Sequence, residues 1–130
     1  MKNHNTSILK YLKFDKVLKC AKELDELSNV KDKVQRKELL KNAENCVIDA
    51  ISEIAKNCLA GNIPLKSCDF KKLSKYQKQL RQISKKSSNQ KRRNIIVQSG
   101  GFLNLLIPPA LTLIASVLSN VISKKLQTSK

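Results

Sequence analysis

Ten cations fall between residues 71 and 93: Lys71, Lys72, Lys75, Lys78, Arg81, Lys85, Lys86, Lys91, Arg92 and Arg93. No Asp or Glu interrupts them. Ammonium and guanidinium groups at this density suit one chemistry, the neutralisation of phosphates with release of bound counterions, which depends on charge and not on base sequence. Residues 66–93 hold eleven basic residues against one acidic residue, Asp69, so this stretch supplies +10 of the chain's formal +16. A merely solvated face mixes signs, as the earlier chain does with Glu23, Asp25, Glu26, Glu44, Asp49 and Glu53. The expected partner is therefore a phosphate backbone or an anionic membrane. No base-reading motif accompanies the run, which fits coating or packaging better than sequence recognition.

Other chemistries find little support. Asp49 and Glu53 stand one helical turn apart, a spacing open to paired carboxylates, but they fall on the polar side of an amphipathic stretch near Lys56 and read as a solvated face. His4 is the single histidine and has no nucleophile arranged beside it. There is no glycine-rich phosphate loop, and the expectation is a protein without catalytic residues. Cys20, Cys46, Cys58 and Cys68 contain no C-x-x-C pair and no histidine partner, so neither a metal nor a cofactor is expected. Each cysteine lies in or beside an apolar stripe and reads as a reduced thiol packing as a small hydrophobe. Met1 to Tyr11 lacks the apolar run of a secretory signal, and a reducing compartment fits both observations.

The elements that must position the cations are helical. Few glycines and prolines, much Lys, Leu and Ile, and no strand-like alternation predict an all-α fold. Phe14, Val17, Leu18, Ala21, Leu24 and Leu27 mark a helix over about 8–27. After a charged connection at 30–35, Leu40, Ala43, Val47, Ile51, Ile54 and Cys58 mark a second over 36–60. Ile48, Ala50, Ala55 and Leu59 widen its stripe and make it central to a three-helix bundle. Gly61-Asn62-Ile63-Pro64 punctuates the chain, since Gly after a helix takes the left-handed conformation and Pro64 disfavours helix at Ile63. Phe70, Leu73, Tyr76, Leu80 and Ile83 then mark a third helix over 67–86, with the cations on its free faces.

The composition changes abruptly beyond the bundle. Lys85 to Arg93 has no apolar residue, whereas Asn94 to Ser123 has no charge. Three units are expected: a bundle at 1–86, a basic linker at 87–101 ending in Gly-Gly, and a hydrophobic tail at 102–130. The first should fold without the last. Residues 102–122 as a helix would reach about 31 Å, enough to span a bilayer. Pro108-Pro109 interrupts that run, so a continuous helix starts more naturally at Pro109. Membrane insertion, burial against protein and disorder all stay open for the tail.

The order Lys91-Arg92-Arg93, then Gln98-Ser99-Gly100-Gly101-Phe102-Leu103-Asn104-Leu105-Leu106-Ile107-Pro108, resembles the precursors of the adenovirus minor core protein called X or mu. The longer form, with Leu39-Leu40-Lys41-Asn42-Ala43 and Gly61-Asn62-Ile63-Pro64-Leu65 ahead of the basic helix, is similar to a family encoded by adintoviruses and Maverick/Polinton elements. The resemblance covers about residues 36–123. It implies a late viral protein, a DNA-binding virion core or minor capsid component of a double-stranded DNA virus or virus-like transposon, found in the virion and the host nucleus. It further implies that residues 102–122 meet capsid proteins or membrane, and that a cognate viral cysteine protease cuts within Gly100, Gly101 and Phe102. The chain departs from the adenovirus pattern in preferring Lys to Arg and in placing Gln98 two positions before the glycine pair. A function of another class also fits the composition: a membrane-active protein whose basic segment meets anionic lipid while the tail inserts.

Overall fold

A computed structural model describes residues 14–128; His4, the Met1–Tyr11 segment and the first part of the expected helix 8–27 lie outside them. The described residues form α1 (Asp15–Lys19), α2 (Ala21–Asn29), α3 (Lys33–Asn42), α4 (Asn45–Leu59), α5 (Ser67–Ser74), α6 (Gln77–Ser84), α7 (Asn89–Ser99), a 3-10 turn (Gly100–Phe102) and α8 (Leu103–Thr128). No strand occurs among them. The all-α expectation holds, and each of the three expected helices is present but broken in two.

A break in a helix can free backbone groups that a continuous helix would satisfy. Cys20 separates α1 from α2, its N–H donating to Lys16 O at 3.1 Å and its carbonyl accepting from the Leu24 N–H at 2.9 Å; at the start of α1, Glu53 Oε2 accepts from the N–H groups of Lys16 at 3.1 Å and Val17 at 3.3 Å. A carboxylate there also opposes the positive end of the helix dipole. Ala43 and Glu44 are extended, with ψ of 146° and 156°, and separate α3 from α4. Asp32 starts α3 by accepting from the Val34 N–H at 3.0 Å, so the helix begins inside the stretch expected to be a charged connection. The third break falls at Lys75 and Tyr76.

Periodicity read these pairs as single helices because the apolar stripe runs on in register through each break. A stripe reports which face is buried and not whether the backbone bonds continue. The Gly61 reading is met in detail. Its φ is +78°, the Asn62 N–H donates to Asn57 O at 2.9 Å, and the Gly61 N–H donates to Cys58 O at 3.1 Å, the paired bonds that close a helix on a left-handed residue.

The core is built around α4, which buries Val47, Ile48, Ala50, Ile51, Ile54 and Ala55 and packs against α1, α6, α7 and α8. Ser52 on the same helix donates to Ile83 O at 2.6 Å and satisfies a carbonyl at the end of α6. Leu18, Leu59 and Phe70, read as stripe residues, lie at the surface instead.

Two further readings are corrected. Residues 87–101 are not an exposed linker: Ser88 accepts from the Lys91 N–H at 3.2 Å and starts α7, whose Ile96 is fully buried. Nor do residues from 102 onward stand apart. Phe102, Leu103, Leu106, Ile107, Ala110 and Ile114 belong to the same buried cluster as Phe14, Leu24, Leu40, Ile51 and Ile83. The physical reason is that α2, α4 and α5 all pack against α8, whose apolar residues complete their cover. Helix α8 also passes through Pro108 and Pro109 without stopping. Both rings lie toward the open side, where Asn104 and Leu105 border a cleft facing Pro64 and Lys66. The backbone bonds that the prolines cannot donate are thereby lost on that side and not inside the core.

The bundle therefore depends on its apolar C-terminal helix. A chain ending at Gly101 is expected to lose cooperative thermal unfolding by circular dichroism. Ile51→Ala and Leu106→Ala should each cost about 2–5 kcal/mol in denaturant titrations, since both side chains are fully buried. A 1–101 fragment that unfolds as cooperatively as the full chain would contradict the single-core arrangement.

Candidate nucleic-acid interface

The cations of residues 71–93 divide into two sets. Leu73, Leu80 and Ile83 turn inward from α5 and α6, and this leaves Lys71, Lys72, Lys75, Lys78 and Arg81 exposed on the outside of the same two helices. Lys85 and Lys86 continue the exposed set into the connection to α7, and Lys91 carries it onto that helix. Among the described residues none of these eight forms an ion pair. Phe70, 66% exposed, directly precedes Lys71.

Arg92 and Arg93 are used differently. Arg92 Nη1 lies 3.4 Å from Asp49 Oδ1, and its Nη2 donates to Lys85 O at 2.9 Å. Arg93 Nη1 donates to Leu40 O at 2.7 Å and Ala43 O at 2.6 Å, and Nη2 donates to Asn45 Oδ1 at 3.0 Å. A planar guanidinium can bridge several carbonyls in this way, and a lysine ammonium cannot match the fork. Both side chains are half-buried and hold α7 against α3 and α4. They do not join the exposed set.

Asp49 and Glu53, read as a solvated polar face, also have structural tasks. Asp49 accepts from Arg92 and lies 3.9 Å from Lys16 Nζ, while Glu53 caps α1. Periodicity alone could not show this, because their partners come from residues distant in sequence.

The glycine pair does not form an extended, accessible segment. Gly100 and Phe102 are buried, and the residues form a 3-10 turn. At Gly101 the reason for glycine is close packing, whereas a Cβ at Gly100 would make ordinary van der Waals contact. A Cβ on Gly100 would lie 3.4 Å from both Arg36 Nε and Leu40 Cδ1, and one on Gly101 would lie 2.9 Å from the Tyr76 hydroxyl oxygen. Tyr76 in turn stacks obliquely on Phe102, with ring centroids 5.7 Å apart, and anchors the start of α8 at the α5–α6 break. A protease would reach this bond only after α8 had left the core.

Cysteine placement differs along the chain. Cys20 is buried, Cys46 and Cys58 are half-buried and Cys68 is exposed, so the expectation of packed thiols does not extend to Cys68. Burial pushes the Cys58 thiol above its ordinary pKa. The described residues contain no group of three or more His, Cys, Asp or Glu suited to a metal ion.

These features define an all-α bundle with one hydrophobic core and a basic outer surface along α5, α6 and the start of α7. No protein-family model matches the chain, and no curated protein or solved structure matches it.

Two substitution pairs test the assignments. Arg93→Ala is expected to cost about 2–4 kcal/mol, because it leaves three acceptors without a charged donor, whereas Lys78→Ala should change stability by less than about 0.5 kcal/mol. Gly101→Ala should destabilise by about 1 kcal/mol as Tyr76 is displaced from Phe102, while Gly100→Ala should be nearly neutral. Chemical denaturation of the four variants measures both contrasts; equal effects at the two glycines would remove the packing explanation.

Proposed function

We propose that the protein is a non-enzymatic nucleic-acid-binding protein that coats double-stranded DNA through phosphate contacts, as a virion core or minor capsid component of a double-stranded DNA virus or virus-like transposon. The observation that carries this reading is the set of eight exposed cations at 71, 72, 75, 78, 81, 85, 86 and 91, none of them in an ion pair among the described residues. Such a surface repels itself until a polyanion neutralises it. Long lysine side chains that form no ion pair among the described residues suit phosphates spaced along a duplex, and the absence of base-reading geometry suits coverage of any sequence. Action in the virion and the host nucleus follows from the same proposal, with the capsid shell as the nearest protein partner.

A membrane-active role is the second reading, favoured by one observation. The helical stretch Asn89–Ser116 is long and apolar enough to cross a membrane by length and composition, with a mean hydropathy of 1.4 in its most apolar window. Of that window 39% is buried, so insertion requires α8 to exchange the cover of α2, α4 and α5 for lipid. The first reading needs no such rearrangement.

Salt-dependent binding to a random-sequence duplex separates the two. If about six phosphates are neutralised, log K falls against log salt with a slope near −5, and no duplex sequence is preferred. Replacing Lys71, Lys75, Lys78, Arg81 and Lys85 by Gln should flatten the slope by about four units while leaving the unfolding transition in place. Indifference to DNA combined with co-sedimentation with anionic liposomes would reverse the order of the two readings.

A further inference from the structure

The sulfur atoms of Cys20 and Cys46 lie 2.7 Å apart, although the residues are 26 positions apart and belong to different helices. That separation is only about 0.7 Å longer than an S–S bond of about 2.04 Å. Among the described residues no other pair of cysteines lies in such contact: Cys68 is exposed beside Asp69, and Cys58 is half-buried at the far end of α4. We propose that Cys20 and Cys46 are a redox-active dithiol, closed to an intramolecular disulfide by thiol–disulfide exchange with a small-molecule disulfide of the glutathione type.

The placement gives the pair both access and consequence. A cleft of about 360 Å³ opens over it, bordered by Glu23, Leu39, Asn42 and Glu44, so a reagent can reach the half-exposed Cys46 while Cys20 is 2% exposed. Cys46 is therefore the thiol that meets the reagent. Its thiolate attacks one sulfur of the disulfide, forming a mixed disulfide and releasing one glutathione thiolate. Cys20 then loses its proton and attacks the Cys46 sulfur, expelling the second glutathione thiolate. In sum, two protein thiols lose two electrons and two protons, and one glutathione disulfide becomes two glutathione thiols.

Burial, with the Cys46 hydrogen bond adding to it, pushes the Cys20 thiol up to about 12. Conversion of Cys46 to a mixed disulfide removes that hydrogen bond and the Cys46 charge, both of which hold the Cys20 proton in place. Cys20 is also the joint between α1, which packs on α4, and α2, which packs on α8. The bond therefore fastens to α4 the segment that covers the apolar C-terminal helix.

The test treats the full-length reduced chain with oxidised glutathione, followed by intact mass and non-reducing peptide mapping. The expected product is a monomer lighter by about 2 Da, with Cys20 and Cys46 in one linked peptide. Its midpoint of thermal unfolding should be about 10 °C higher, and dithiothreitol should reverse the shift. Cys46→Ser and, separately, Cys20→Ala should abolish the product, while the double variant Cys58→Ser with Cys68→Ser retains it. Three results overturn the proposal: a chain that stops with glutathione on Cys46, a linkage that runs through Cys68 between two chains, or modification of Cys68 while Cys20 and Cys46 stay reduced.

Discussion

The Arg93 guanidinium, spread over the carbonyls of Leu40 and Ala43 and the side-chain oxygen of Asn45, is the contact on which most of the arrangement rests. It fills the break between α3 and α4, where two residues of extended backbone leave acceptors with no helical partner. The same contact fixes α7 in place. Because α7 leads through the 3-10 turn into α8, docking α7 sets where Phe102 enters the core and hence which face of α8 is buried. Hydrogen bonds from a charged donor to part-buried carbonyls are among the stronger polar contacts available, and the planar fork reaches all three acceptors from two nitrogens.

Cation chemistry is divided by residue type. Arg36 is buried against Gly100, Arg92 lies between Asp49 and Lys85, and Arg93 bridges α3 and α4; of the four arginines only Arg81 is exposed. The lysines of α5, α6 and α7 carry the outer charge. This division follows from physics: a weakly hydrated planar group tolerates partial burial when its donors are used, and a compact ammonium keeps its water. The net charge therefore overstates the charge free to meet a polyanion, and the surface on α5 and α6 represents it better.

The apolar C-terminal helix serves the bundle before it serves any partner. A bundle of short, broken helices has little capacity to bury surface by α4 alone, and Phe102 together with five residues of α8 up to Ile114 supplies six buried side chains. The composition that makes this helix look like a membrane span also makes it suitable as a core element. Burial of its inner face against α2, α4 and α5 decides which role it takes in the folded chain.

Helical class, the central place of residues 47–55, the left-handed turn at Gly61 and the excess of cations after residue 66 were all legible in the sequence. Each depends on residues near one another along the chain, where periodicity, glycine conformation and composition act directly. The breaks at Cys20, Ala43 and Tyr76 were not legible, because an apolar stripe continues across each of them and, at Ala43, the freed carbonyls are met by Arg93 from afar. Arg92 and Arg93 looked like the end of the basic run, and Gly100-Gly101 like an open joint. Only the tertiary structure could assign them inward, since carbonyls on α3 and the Tyr76 ring, all distant in sequence, decide what those residues touch.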